Sequence, residues 1–554
     1  MPFFTEMNRL NSEVFDYIIV GGGSAGCVLA SRLTENSSCS VLLIESGDES
    51  RHPLIRVPTG VGVVWKKKLF DWKLKSTEAP SLNNREIGLM RGKLLGGSSA
   101  INAMSHVRGA PADYDGWQNA GCDGWSYADV APYFKKTESW NGKKNTLRGV
   151  DGPLAVSPAA SSDLLFDAWM AAAKSCGHAT IDDYNALAEG RLLEGFASSQ
   201  QTIDTGFRAT SWSAYLAKNI HRPNLHVLKN THVTKIRFDG SRARGLEIAV
   251  GTNRRKLFIN IDGTLILSAG AFHTPHLLMH SGVGPEDVLK SAGLPLVLKA
   301  ENIGRNYRDH LAVQINFGRR NKGPFHKEMR LDRVALNFPL AALFGKGPMT
   351  QLPGGMHGFV RLDKSKGAPD LQFLFRGAPK YAAPWWPIFS KGYEDGFGIR
   401  PVLLHPKSHG HIEVINADPF EAPKIDGQYL SKNEDIEKLL DGINIAMEMA
   451  DDPAMRNFKD NKANSVPLDR IGRINWIRQT AVTAHHPCGT CQMGSDEAAP
   501  VTSELRLKGF DNVFVVDASV FPRTISGNIN ACVYMVAEKA SDFLKGLHNS
   551  DQKN

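Results

Sequence analysis

Two stretches of this 554-residue chain, near its opposite ends, hold the side chains best suited to chemistry. Toward the C-terminus, His485-His486-Pro487-Cys488-Gly489-Thr490-Cys491 sets two imidazoles beside a C-x-x-C pair. A neutral imidazole, with an ordinary pKa of about 6.5, can accept a proton at working pH. The two cysteines alone are compatible with thiol–disulfide chemistry or with half of a zinc site. Further on, Gly527-Asn528-Ile529-Asn530 carries amides, and an amide N–H can donate to an oxygen that gains negative charge. Toward the N-terminus, Gly21-Gly22-Gly23-Ser24-Ala25-Gly26 offers bare backbone, and Glu45 follows about 20 residues later.

The elements around the glycines give them a job. Asp16-Tyr17-Ile18-Ile19-Val20 reads as a short apolar strand running into the glycine turn. A helical pattern follows, with Val28, Leu29 and Leu33 on one side, and then a second buried strand, Val41-Leu42-Leu43-Ile44, ending at Glu45. This is a βαβ unit built to hold a dinucleotide. Gly21 permits the tight turn, Gly23 lets the backbone approach a pyrophosphate, and Gly26 lets the helix lie close to the strand. The helix start at Ser24 and Ala25 presents unpaired N–H groups and the positive dipole end to the phosphates. Glu45 can accept hydrogen bonds from a ribose diol. By itself the unit does not separate FAD from NAD.

Thr264–Gly270 and Val513–Ser519 read as further apolar strands, the second followed by a helix from about Val533 to Leu544. Strands alternating with helices predict a parallel sheet assembled from distant segments. Residues 311–475 differ, with proline and aromatic clusters such as Tyr381 to Pro387, and read as a second, mixed domain inserted into the first.

Composition excludes several classes. Hydrophobic residues at 42% and charged residues at 22% describe an ordinary globular chain. The excess of 65 Lys plus Arg over 57 Asp plus Glu is small and scattered, with Lys66-Lys67-Lys68 the longest basic run. A nucleic-acid partner would call for a basic stripe interleaved with aromatics, and none is expected here. Seven cysteines cannot all pair and offer no disulfide framework, which points to a reducing, cytoplasmic setting. The first residues lack the h-region of a secretory signal. No stretch approaches about 18 uncharged apolar residues, so no transmembrane segment is expected, which leaves room for peripheral attachment at the inner face of a membrane.

Arg91-Gly92-Lys93-Leu94-Leu95-Gly96-Gly97-Ser98-Ser99-Ala100-Ile101-Asn102 resembles the first signature of the glucose–methanol–choline (GMC) flavin oxidoreductases. The run from Gly270 to Gly284 resembles their second signature. His486 to Gly494, Asp517-Ala518-Ser519 and Gly527 to Ala531 are also similar to segments of that family, in the same order along the chain. The resemblance implies an α/β protein, α+β overall: a Rossmann-type FAD-binding domain with an inserted substrate-binding domain on an antiparallel sheet. Residues 14–160, 205–310 and 480–546 would form the first, and 161–204 and 311–479 the second.

It also implies roles. Gly96, Gly97 and Ser98 offer bare amides and a hydroxyl suited to a pyrophosphate or flavin edge. Asn102 and Ala103 would lie beside the flavin and phosphates, and the backbone of Val233 would meet the adenine side. Asp517 and Ala518, at the C-terminal end of a strand, would stand near the ribityl chain. Some relatives bind FAD covalently through a His where this chain has Ile101, so FAD is expected to be noncovalent. The family's catalytic base corresponds to His486 and its second catalytic position to Asn528, with Asn530 supporting the flavin or the loop. If the backbone is extended at the His pair, its side chains alternate, and His485 is expected to point away. Cys488 and Cys491 lie inside the His486-Pro487 motif, which argues against thiol redox chemistry. No second C-x-x-C accompanies them, so no metal is expected.

The implied function is oxidation of a small-molecule alcohol to an aldehyde or ketone, with hydride transfer to flavin N5 and proton transfer to the His. The pattern is most similar to bacterial acceptor-linked alcohol and choline dehydrogenases, which implies an external electron acceptor: a quinone, dye or electron-transfer protein. The alternatives are an oxygen-using alcohol oxidase and, less favoured, a flavin-bearing hydroxynitrile lyase, which typically has a second His where Asn528 stands. Choline is disfavoured as substrate, because Gly355 occupies a position where relatives often place an acid. Trp385 and Trp386 are candidates for part of a cage around a cationic headgroup.

Overall fold

Tyr17–Val20 (β1) and Val41–Ile44 (β2) are runs of four apolar residues buried on both faces, as strands covered by helices on either side must be. In the computed structural model, which describes residues 14–251, 254–460, 462, 464 and 466–551, they pair in parallel with Leu225–Leu228 (β3), Thr264–Leu267 (β4) and Val513–Val515 (β5). The strand order is β3-β2-β1-β4-β5. One sheet is thus built from segments spread over most of the chain.

Between β1 and β2 runs the helix Ser24–Leu33 (α1). Gly21 turns into it with φ +101°, and Gly26 brings it close: a Cβ on Gly26 would lie 1.9 Å from the Gly21 carbonyl oxygen. Gly270–His280 (α2) follows β4, and Asn530–Asp551 (α3) closes the chain. α3 starts three residues before the apolar pattern suggests, since its first residue, Asn530, is polar and is held by a hydrogen bond from Ser24 Oγ at 2.7 Å. That bond joins the N-terminal ends of α1 and α3. Farther along, Arg32 holds buried Glu538 through two N–H···O bonds of 2.9 Å.

The second sheet is antiparallel. Its order is Val482–Thr483, Leu311–Ala312, Gly396–Leu403, Leu371–Arg376, Met356–Val360, Gly195–Ser198, and Ile315–Gly318 also pairs with Gly396–Leu403. At one edge, residues 308–312 zip against residues 482–488: Leu311 pairs with Thr483, Ala484 N donates to His310 O, and Arg308 and Cys488 exchange backbone bonds. This pairing carries the histidines of the C-terminal motif. Among the described residues, no helix is long and apolar enough to cross a membrane.

Candidate active site

A cavity of about 1190 Å³ lies between the C-terminal ends of β1, β2 and β4 and the antiparallel sheet. Gly21, Gly23, Ser24 and Ala25 line it at the phosphate-sized turn, and Glu45 and Val233 border it at one end. Gly97, Ser98, Asn102 and Ala103 form another wall, facing Asp517, Ala518 and Asn530. His486 and Asn528 belong to the same cavity. Of the residues given a cofactor-binding or catalytic role from sequence, only Gly26 and Gly96 stand behind the wall. Gly96 N donates to Gly22 O at 2.7 Å and so ties the two glycine loops together.

The fit of the near end to a dinucleotide can be tested on the geometry. α1 has no side-chain N-cap and no acid in its first turn, so its positive end is not neutralised. A Cβ built on Gly23 would meet nothing closer than Ser268 O at 4.0 Å, because it would project into the cavity. Glu45 accepts from Gly22 N at 2.8 Å and Gly47 N at 2.7 Å, and burial raises its pKa. A carboxylate has about four acceptor sites, so two remain for a diol. Val233 lies on Thr231–Asp239 at an irregularity in its ladder, between Val233 and Lys235, where backbone groups are freed from pairing. Asp517 accepts from Gly270 N at 2.8 Å, Thr274 Oγ1 at 2.6 Å and Ser519 N at 2.7 Å, locking the end of β5 to the start of α2. These residues fit FAD.

At the far end the polar atoms form a chain. Gln372 Nε2 donates to Asn528 Oδ1 at 3.2 Å, which turns Asn528 Nδ2 toward His486 Nε2 at 3.0 Å. An amide nitrogen only donates, so His486 Nε2 is the acceptor and its proton sits on Nδ1. Nδ1 then donates to His310 Nδ1 at 2.9 Å. His486 N donates to Asp309 Oδ1 at 2.7 Å, fixing the backbone of the ring's own residue. Burial, then repulsion from His310, Arg91, His485 and Arg400, holds His486 well below the ordinary imidazole pKa. Burial lowers His310 to about 3, so it stays a neutral acceptor.

The expectation for His485 needs correction. Its φ is +63°, the left-handed region, so the alternation of extended backbone does not apply. It borders the same cavity as His486, with Nδ1 sealed and unpartnered, but makes no bond to Asn528. Trp385 and Trp386 do not reach the cavity; Trp385 Nε1 donates to His326 O and Trp386 is exposed. Cys488 and Cys491 are free and buried, and burial pushes the Cys488 thiol up to about 12 and Cys491 well above its ordinary value. Neither supplies a thiolate, which the C-x-x-C reading would require.

Sequence reasoning missed His310, Asp309, Gln372 and the buried Arg208, whose Nη1 donates to Asn102 O at 2.6 Å and Asn102 Oδ1 at 3.0 Å. The one signal available was the polar pair Asp309-His310 just before an apolar strand.

Comparison with known proteins bears on this geometry directly. Family models described as GMC oxidoreductase match residues 15–312 and 406–537. The chain belongs to the GMC oxidoreductase family. It is 36% identical over 544 residues to an acceptor-linked alcohol dehydrogenase of Pseudomonas putida, covering 96% of each chain. It is 34% identical to an oxygen-dependent choline dehydrogenase of Photobacterium profundum, covering 97% of this chain and 94% of that one. Among solved structures, the pyridoxine 4-oxidase from Mesorbium loti has a TM-score of 0.84 at 28% identity, covering 95% of this chain and 98% of that one. A formate oxidase of Aspergillus oryzae has a TM-score of 0.88 at 25% identity, covering 98% and 99%. The GMC oxidoreductases bind FAD, and this chain has their FAD-binding fold.

Proposed function

We propose that this GMC oxidoreductase oxidises an alcohol to an aldehyde or ketone, using noncovalent FAD and passing the electrons to an acceptor other than oxygen. The observation that supports this reading best is the pair of His486 Nε2 and Asn528 Nδ2, 3.0 Å apart, in one cavity with the glycine loops. A substrate hydroxyl that replaces the direct Nδ2–Nε2 hydrogen bond, spreading the two groups apart, gives its proton to Nε2 and accepts a hydrogen bond from Nδ2. Asn528 stabilises negative charge as it develops on that oxygen, and Gln372 keeps the amide turned the right way. His310 holds the His486 proton on Nδ1, so the free lone pair is always on Nε2. Bound FAD supplies the two-electron acceptor for the carbinol hydrogen. The binding end is assigned to Gly21, Gly23, Ser24, Ala25, Glu45 and Val233, and the middle to Gly97, Ser98, Asn102, Ala103, Asp517, Ala518 and Asn530. An anaerobic screen of alcohols for loss of flavin absorbance tests the reading. No bleaching by any alcohol, with FAD bound, would refute it.

Three expected results follow from particular residues. Ile101, buried on the cavity wall, has no nucleophilic atom, so acid or heat should release all the flavin. Flavin that stays on the precipitated protein would contradict noncovalent binding. His310→Ala removes the acceptor for His486 Nδ1 and lets the proton move to Nε2. Flavin reduction should then slow about tenfold or more, since control of the base's tautomer is worth at least that much in comparable sites. An unchanged reduction rate in stopped flow would leave His310 a packing residue. The preference for a non-oxygen acceptor leans on the likeness to the Pseudomonas putida enzyme. Hydrogen peroxide formed in air as fast as dye-linked turnover would favour an oxidase instead.

A further inference from the structure

Leu371–Arg376 and Gly396–Leu403 are antiparallel neighbours in which Leu374 faces Arg400 and Arg376 faces Gly398. Residues two apart on a strand share a face, so Arg376 and Arg400 are diagonal neighbours on one side of the sheet. Both line the cavity that holds His486 and Asn528. Nε and Nη2 of Arg376 and Nε of Arg400 are sealed from solvent with no hydrogen-bond partner. Arg400 Nη2 donates to the uncharged Thr483 O at 2.9 Å. Burial lowers Arg376 to about 10, and burial with repulsion from Arg376 lowers Arg400 to about 10, so both stay charged at neutral pH.

Among the described residues, no carboxylate pairs with either guanidinium. The carboxylates on the cavity wall are Glu45, Glu86 and Asp517. Glu45 is bonded to the amides of Gly22 and Gly47, Glu86 to Lys75 at 2.8 Å, and Asp517 to Gly270 and Thr274. Two adjacent, partly buried cations with unmade bonds are costly to leave unpaired. Both side chains stay partly accessible on the cavity wall, and a guanidinium that turns its free N–H groups toward a carboxylate can grip both of its oxygens.

We infer that Arg376 and Arg400 bind a carboxylate carried by the substrate, so that the alcohol oxidised is a hydroxy acid and not a neutral or cationic alcohol. The inference rests on the reading of His486 and Asn528 as the reaction end. A hydroxy acid spans the cavity with its hydroxyl at those two residues and its carboxylate on the sheet. A quaternary ammonium alcohol would instead meet two guanidinium charges with no ion-pair partner, Arg400 being attracted only at longer range by Asp309.

The test compares γ-hydroxybutyrate, n-butanol and choline as reductants of the bound flavin under anaerobic conditions, in the parent and in Arg376→Gln and Arg400→Gln. Calorimetric titration with butyrate, which carries the anion without an alcohol, supplies a readout independent of turnover. We expect γ-hydroxybutyrate to be the best of the three reductants. Its kcat/KM relative to n-butanol should fall about 10–100-fold in each Gln variant, mostly through KM, as loss of a charge-assisted hydrogen bond predicts. Arg376→Lys and Arg400→Lys should recover part of that ratio. Butyrate should bind the parent and bind each Gln variant at least about tenfold more weakly. Butyrate binding unaffected by both Gln variants, or a γ-hydroxybutyrate to n-butanol ratio that does not fall in them, would overturn the inference. If butyrate binds through the arginines while no alcohol of any charge bleaches the flavin, the anion site stands and the alcohol-oxidising function fails.

Discussion

His486→Ala should keep FAD and slow its reduction by alcohol about 10²–10⁴-fold, the usual worth of a positioned general base. In the parent, Nε2 is the one acceptor facing Asn528, and its lone pair is held there by the Nδ1 bond to His310. With the ring gone, the hydroxyl proton has no nearby acceptor while the carbinol hydrogen leaves. The pH dependence has a definite sign. A protonated imidazole cannot accept the proton, so kcat/KM for reduction must fall as pH drops through the pKa of His486. Burial and the surrounding histidines and arginines place that pKa well below 6.5. The rate should therefore remain on its plateau at pH 6.5 and decline only in more acid buffer. Asn528→Ala should cost less, on the order of one donor to a developing alkoxide. His485→Ala should be milder still, since that ring makes no bond to Asn528. Stopped-flow reduction of the three variants decides the matter. A crippled His485→Ala beside a normal His486→Ala would exchange the roles of the two rings.

The second large effect separates two glycines three residues apart. Gly23→Val should fold and lose FAD, whereas Gly26→Val should destabilise the fold. At Gly23 the backbone is extended, at φ −79° and ψ −155°, and a Cβ finds 4.0 Å of space. The new side chain would fill the volume that a pyrophosphate needs beside the α1 amides. Affinity for FAD should drop about 100-fold or more, the worth of one or two charge-assisted hydrogen bonds. At Gly26 a Cβ would overlap the Gly21 carbonyl oxygen at 1.9 Å, and backbone cannot swing aside as a side chain can. Stability should fall by about 1–3 kcal/mol or more, with α1 pushed off β1. Melting of the apoprotein and titration with FAD measure the two effects separately. Gly23→Val that binds FAD as the parent does would remove the phosphates from that turn.

Local chemistry was legible in the sequence. β1, the glycine turn, α1 and β2 are consecutive, and each glycine's task is set by contacts within that one unit, so a pattern of residue types suffices to read it. The motif segments around Gly96, Asp517, His486 and Asn528 were readable because each is a short run that resembles a segment of the GMC family. The C-terminal helix was found but started late, since a polar first residue leaves no mark in apolar periodicity. Left-handed backbone at His485 was invisible, because nothing in His485-His486 announces a positive φ, and the alternation rule failed there. His310, Gln372, Arg376 and Arg400 were out of reach for a deeper reason. Gln372, Arg376 and Arg400 lie on strands of the antiparallel sheet and His310 just before one, and what each does depends on groups far away in the chain. In the sequence, Arg376 and Arg400 are single charges in apolar strands, visible as oddities but without a direction. Strand register decides which face each one occupies, and register is fixed by non-local pairing and burial. The sequence by itself determined the dinucleotide-binding βαβ unit and, through resemblance to the GMC family, pointed to His486 and Asn528. Only the tertiary structure decided which tautomer His486 holds and which charges line the cavity, because both depend on groups that meet through pairing of distant strands.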